Sequence, residues 1–318
     1  MVNLSIVISF KNEEQNLPVL LERLVLVLKS LEEVNSEIIF VNDLSTDSSK
    51  KFLEEYIVNS LFDISLVNMS RTYGNTECVF AGFEVSKGDL VIYMDADLQD
   101  PPELIPEMIA KHFDTKAEVI HTVRTKRLGE SWFKIKITNF GYFYLNKFYQ
   151  VPLKREAGDY KLLTRRVVEC LLEYKEHLPF LRGLIANLGF KQEHVEYIRD
   201  PRADGRSKTK FRVFGLRWLG GHLDRTLISF SDIPLKFTLF IGLLLFSISS
   251  VGIILAISLK IFGLAVPGWT ALICAILFLG STQILVTGFL GLYINVIFRE
   301  TKNRPIYIID NIVKNNKL

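Results

Sequence analysis

Between Phe237 and Phe298 the chain carries one charged side chain, Lys260, and from Ile261 to Phe298 it carries none. No other feature restricts a chain of 318 residues as much. A helix needs about 20 apolar residues to cross about 30 Å of hydrocarbon. Phe237–Leu259 is long enough for one crossing and Trp269–Ile297 for a second. The break at 260–268 holds Gly263, Pro267 and Gly268 and reads as a short turn. The expected arrangement is a hairpin of two transmembrane helices, about 235–260 and 268–298. Two adjacent runs of this length argue against a pair of helices buried in a soluble domain.

Basic residues orient the hairpin. Arg212, Arg217, Arg225 and Lys236 precede it, Arg299, Lys302, Arg304 and Lys314 follow it, and the turn has only Lys260. The positive-inside rule puts both termini in the cytoplasm of a multi-pass protein of the plasma membrane. The N-terminus opens on a strand-like run, Asn3–Phe10, without a basic lead-in, so no signal peptide is expected. Cys78, Cys170 and Cys274 are odd in number and unpatterned, which suits a reducing compartment and no metal cluster. The total charge of +3 excludes little. Its basic residues gather toward the apolar segment, which argues against nucleic acid as a partner.

The N-terminal part alternates strand and helix patterns. NLSIVISF (3–10), EIIFV (37–41), DISLVNM (63–69) and DLVIYMDAD (89–97) read as strands. Helix patterns cover 17–31 and 76–86, and another begins near Ser45 or Asp47 as its cap. This order predicts an α/β fold with a mostly parallel sheet. Ligands of such sheets bind beyond the C-terminal strand ends. Asn12–Glu14, Asp43, Arg71 and Asp95–Asp97 all fall at such ends. Residues 208–231 place Phe211, Phe214, Trp218 and several leucines near helical spacing with basic residues between. That pattern reads as an amphipathic helix on the membrane surface.

Three carboxylates crowd into YMDADLQDPPE: Asp95, Asp97 and Asp100. In a strand, residues two apart share a side, so Asp95 and Asp97 can face one cation. Hard oxygen ligands suit Mg²⁺ or Mn²⁺, which bind through one or two carboxylates plus substrate phosphates. Asp43 can accept hydrogen bonds from a base or ribose, or serve a turn. Arg71 can reach phosphate or pair with an aspartate.

The motifs SFKNEEQNL, VNDLSTDSS, SRTYGNTECVFAGFEVSKGDLVIYMDADLQDPPELIP and AGDYKLLTRRVVE resemble those of glycosyltransferase family 2, in the family's order. LPFLRGLIANLGF, RADGRSK and LISFSDIPLKF, followed by two spans, resemble its polyprenyl-phosphate glycosyltransferases. That group includes bactoprenol glucosyltransferase and dolichol-phosphate mannose synthase, and the two-span bactoprenol enzymes look most similar. The resemblance covers nearly the whole chain to about residue 300.

It implies a GT-A catalytic domain over 1–207, a juxtamembrane segment over 208–233, spans within 234–298 and a cytoplasmic tail over 299–318. It implies a nucleotide-sugar donor, UDP-glucose favoured, a divalent metal and a polyprenyl phosphate acceptor, with transfer inverting the anomeric carbon. Asp95, Asp97 and Gln99 match the metal and diphosphate motif. Ser9, Lys11, Glu13, Asp43, Arg71 and Asp95 match the nucleotide-sugar site. Asp159 matches the carboxylate usually assigned as catalytic base. Arg124, Arg127, Arg202 and Lys208 match basic positions that engage phosphate, and such residues equally suit a face toward anionic lipid.

Departures fall in the nucleotide pocket. Ser9 and Lys11 stand where the family often has Pro and Tyr, Asn42 and Leu44 replace the common Asp and Gly of V-D-D-G-S, and Thr72 replaces a frequent Asn. These touch base and sugar preference more than reaction type. The alternatives are a same-fold transferase with another donor or a polysaccharide acceptor, and an inactive membrane scaffold. Small residues in the spans, among them Gly280, Gly288 and Gly291, allow a homo-oligomer through those helices.

Overall fold

The computed structural model describes residues 2–31, 34–124, 157–177, 179–197 and 268–315, with scattered positions between 240 and 262. The chain divides into two units, residues 1–211 with 304–318, and residues 212–303.

The first unit is built on one sheet. Its strands are β1 (Val2–Phe10), β2 (Val34–Asn42), β3 (Asp63–Met69), β4 (Leu90–Asp95), β5 (Val119–Arg124), β6 (Ala157–Thr164), β7 (Gln192–Tyr197) and β8 (Ile309–Lys314), in the spatial order 7-5-6-4-1-2-3-8. β1 lies between β2 and β4, parallel to both, and β2 continues the parallel run to β3. From Leu4 to Phe10 every β1 residue is buried, as a central strand covered on both faces requires. The helices are α1 (Leu17–Lys29), α2 (Ser49–Asn59), α3 (Asn75–Val85), α4 (Ile105–Thr115), α5 (Arg165–Glu173) and α6 (Leu181–Asn187). In α1, Leu17, Leu20, Leu21, Leu24, Val27 and Leu28 follow helical spacing and join Leu4, Ile6 and Ile8 of β1 in the core.

The opposite face of β1 meets α3 at very short range. A Cβ placed on Gly82 would stand 2.2 Å from Val7 Cγ1 and 3.2 Å from Val41 Cγ2. Gly82→Ala must push α3 off the sheet and is expected to cost about 1–3 kcal/mol. Thermal unfolding checks this, and a native melting temperature would contradict the packing.

Three differences from the sequence reading matter. The sheet is mixed: β6 runs antiparallel to both β4 and β5 and β8 antiparallel to β3, while β5 and β7 pair parallel as β1–β4 do. The α2 helix is preceded by Ser48 rather than Ser45 or Asp47, although the Asp47 Oδ1 accepts the Ser49 N–H at 3.1 Å. The stretch after residue 299 is more than a tail: β8 pairs antiparallel with β3 as an edge strand. Edge strands bury little and alternate weakly, so Ile309–Lys314 has only a faint strand pattern.

In the second unit, α7 (Trp269–Thr301) includes a 24-residue stretch, Phe278–Thr301, long and apolar enough to cross a membrane. Its Phe278, Ile284 and Phe298 are exposed. Among the described residues it alone meets that criterion. Described positions from Phe240 to Ile261 are helical, but most of the expected first span and its turn lie outside the described residues. The amphipathic segment 208–231 lies outside them entirely.

Candidate active site

Strand register fixes the site. Ser9 on β1 pairs with Asp95 on β4, and Phe10 pairs with Asn42 on β2. Three parallel strands therefore end at one level, where polar residues replace the apolar run. A cleft of about 460 Å³ opens there. Ser9, Lys11, Glu13, Asp43, Asp95 and Asp97 all line it, so six residues singled out in the sequence converge.

Asp43 closes one side. Its N–H donates to the Phe10 carbonyl at 3.0 Å. Its Oδ1 accepts the backbone N–H groups of Tyr73, at 2.7 Å, and Gly74, at 3.4 Å. Its Oδ2 lies 4.0 Å from Lys11 Nζ, which also donates to Thr72 Oγ1 at 2.6 Å. The turn after Asp43 takes Leu44 through φ +54°. A side chain is disfavoured in that left-handed conformation, which gives a physical reason for the glycine common at this position in the family. Glu13 is buried, and Asn16 Nδ2 donates to its Oε2 at 2.6 Å.

Asp95 closes the other side. Asn75 Nδ2, in the first turn of α3, donates to its Oδ1 at 2.9 Å, and Ser9 Oγ lies 3.3 Å from the same oxygen. Ser9 Oγ also donates to Asn75 Oδ1. Burial, and then the charges of Asp97, Asp100 and Asp159, push the Asp95 carboxyl up to about 7. Four carboxylates thus share one field.

Asp97 reaches this cluster by a different route from strand alternation. β4 stops at Asp95, and the chain bends through Leu98 at φ +60°. The Gln99 N–H donates to Asp97 Oδ1 at 3.3 Å. Asp100 turns inward, 1% exposed, and accepts the Tyr197 hydroxyl of β7.

Asp159 arrives on β6. Tyr93 pairs with Lys161, and Asp159, two residues before Lys161 on β6, is near enough for its charge to raise the Asp95 carboxyl. Arg182 of α6 holds it by a two-pronged contact, Nε to Oδ1 and a terminal nitrogen to Oδ2, both at 2.6 Å. Beneath it, the fully buried Lys161 donates from Nζ to the Gly158 carbonyl at 2.8 Å and the Tyr93 hydroxyl at 3.1 Å. Arg182 and Asn75 are new relative to the sequence reading. The LPFLRGL motif contains Arg182, but only the fold brings it to Asp159.

Other expected residues fall elsewhere. Arg71 stacks 4.4 Å above the Tyr73 ring, makes no ion pair with an aspartate among the described residues, and is not part of the cleft wall. Arg124 ends β5, and its side chain lies outside the described residues, as do Arg127, Arg202 and Lys208. Among the described residues no three His, Cys, Asp or Glu side chains form a ready metal cluster. Two carboxylates with room for phosphate oxygens and water are a common magnesium ligand set. The crowded field on Asp95 fits a cation there as well.

The family model for glycosyl transferase family 2 matches residues 5–172, which include Asp43, Asp95, Asp97 and Asp159. The chain is 35% identical over 311 residues to YkcC of Bacillus subtilis (strain 168), an uncharacterized glycosyltransferase, covering 97% of this chain and 93% of that one. It is 34% identical over 312 residues to the bactoprenol glucosyl transferase of Shigella phage SfV, covering 98% and 99%. It is 32% identical over 318 residues to the prophage bactoprenol glucosyl transferase homolog of Escherichia coli (strain K12), covering 98% and 100%. Its mixed sheet, with Asp95 closing a parallel strand and Asp97 just beyond it, is the GT-A arrangement. With the cleft described above lying inside the matched region, the chain belongs to glycosyltransferase family 2.

Proposed function

We propose that the protein transfers a hexose, glucose from UDP-glucose in the first instance, to the phosphate of a polyprenyl phosphate at the cytoplasmic face of the membrane. One observation carries this reading: a single cleft joins the Lys11–Asp43 pair to the Asp95–Asp97 carboxylates, whose field Asp159 shares. That layout suits a nucleotide at one end and a diphosphate-linked sugar at the other. The relatives named as bactoprenol glucosyl transferases support a lipid phosphate acceptor and glucose. The long apolar α7 would anchor the enzyme where that lipid lies.

Each residue has a defined task in this reading. Asp43 and Lys11 hold the nucleotide, with Glu13 lining its pocket. Ser9 and Asn75 orient Asp95. Asp95 and Asp97 would hold Mg²⁺ or Mn²⁺, and the Gln99 N–H fixes Asp97. Held there, such a cation would neutralise charge developing on a departing diphosphate. The acceptor phosphate monoester has a second pKa of about 6 and is mostly dianionic at pH 7, so it needs little deprotonation. Asp159, gripped by Arg182, is then better suited to orienting groups than to removing a proton. Arg124, Arg127, Arg202 and Lys208 would reduce repulsion between the two phosphates, arginine by its forked donors.

Direct displacement inverts the anomeric carbon. The lipid product formed from a panel of UDP- and GDP-sugars, analysed by NMR, is expected to be a β-glucosyl phosphate obtained from UDP-glucose. Retention of the α configuration would contradict the direct displacement, and a product from another donor would replace glucose.

A further inference from the structure

Three asparagine side chains stand abreast at the C-terminal ends of β2 and β3 and near the N-terminal end of the antiparallel β8. Strand pairing sets Asn42 opposite Asn68, and Asn68 opposite Asn311. Asn42 Nδ2 donates to Asn68 Oδ1 at 2.9 Å, and Asn68 Nδ2 donates to Asn311 Oδ1 at 2.7 Å. The first two are 3% and 4% exposed, so their amide groups depend on protein partners. The outer one stands at the exposed sheet edge.

The inner end of this ladder meets the cleft. Asn42 Oδ1 accepts the Ser45 N–H at 2.8 Å and so closes the turn that carries Asp43. Leu44 holds a left-handed conformation in that turn, unfavourable for a residue with a side chain. The turn therefore needs outside support, and chains of hydrogen bonds reinforce one another in a low-dielectric interior. The segment carrying Asn311 is fastened beside the same loops. The Ser70 N–H donates to the Ile308 carbonyl at 3.0 Å, and the Tyr307 hydroxyl donates to Glu84 Oε2 on α3 at 2.6 Å.

We infer that Asn311 is a positioning residue of the nucleotide pocket. The strand that follows the long apolar helix completes the donor site from outside, through Asn68 and Asn42 to the Asp43 turn. The effect on donor affinity rests on the reading of this cleft as a nucleotide site. The effect on the turn itself does not.

The test uses the full chain in detergent and two readouts: binding of UDP and GDP, and hydrogen exchange of the amides in 42–46. Asn311→Ala removes the terminal acceptor. It is expected to raise the UDP dissociation constant and the donor KM about 5-fold, the worth of one hydrogen bond, with kcat unchanged and faster exchange at Ser45. Asn311→Asp keeps the accepting oxygen and is expected to restore both. Asn315→Ala removes a different edge contact, the 2.8 Å bond to the Ser60 carbonyl, and should change neither. Unchanged exchange at Ser45 in Asn311→Ala would overturn the inference. So would equal loosening by Asn315→Ala, or failure of Asn311→Asp to restore. Faster exchange at Ser45 in a protein whose native form binds neither nucleotide would uphold the ladder and reject the nucleotide reading.

Discussion

Asp95→Asn is expected to reduce sugar transfer by about 10³-fold, the scale of losing a preorganised charge at a reacting centre, while making the metal-free protein harder to melt at pH 8. Both effects have one cause. In the fold, burial and the charges of Asp97, Asp100 and Asp159 hold the Asp95 carboxyl near 7. In the unfolded chain an aspartate titrates at about 3.9. Between these values the native state binds the extra proton, so native stability is greatest at low pH and falls as pH rises through about 7. With chelator present, the native protein should therefore melt at a lower temperature at pH 8 than at pH 5.5, apart from other titrations. Asp95→Asn should flatten most of that difference, because the amide keeps the Asn75 contact without the charge. Added Mg²⁺ should raise the native melting temperature at pH 8 and leave the variant unmoved. Melting curves with and without chelator at the two pH values check this. A variant that melts below the native protein in chelator at pH 8 would contradict the account of the acidic cluster.

Arg182→Ala is expected to lower kcat about 10²-fold, the usual scale when a group in a reacting site loses its position, with little loss of stability. The two side chains are 32% and 37% exposed, and a pair so open to solvent contributes at most about 1 kcal/mol. Without the guanidinium fork, the Asp159 carboxylate is free to rotate and changes the charge met by the incoming phosphate. Arg182→Lys restores a point charge but not the two parallel bonds, so it should recover only part of the rate. Single-turnover lipid labelling with a parallel melting curve separates the two effects. Native kcat in Arg182→Ala would remove the pair from the mechanism, whereas a collapsed melting curve would show that its role is structural.

Short-range signals made much of this architecture legible. The third strand, read as 63–69, spans those residues, because its apolar run is bounded by polar turns. Asp43 and Asp95 were legible as ends of strand patterns, and strand ends are where an α/β sheet presents its ligand groups. Asp97 was legible as Asp95's partner, although it joins the cluster through the local bend at Leu98 and not by alternation along β4. What escaped depends on contacts distant in sequence. Arg182 meets Asp159 only because β6 and α6 fold together. Asn75 reads as an ordinary helix-start residue until Ser9 and Asp95 are placed beside it. The edge strand β8 is polar and brief, and pairs with β3 across more than two hundred residues. No local pattern carries such a pairing.

The most direct test of the central claim is transfer of radiolabelled glucose from UDP-glucose to polyprenyl phosphate by the full chain in detergent, with Mg²⁺ or with chelator. The account predicts label in the lipid fraction with Mg²⁺, none with chelator, and none from Asp95→Ala in either condition. Equal labelling in chelator would contradict the metal-held diphosphate. Label that appears only in a polymer, or no label from any sugar nucleotide with a folded protein, would contradict the lipid phosphate acceptor.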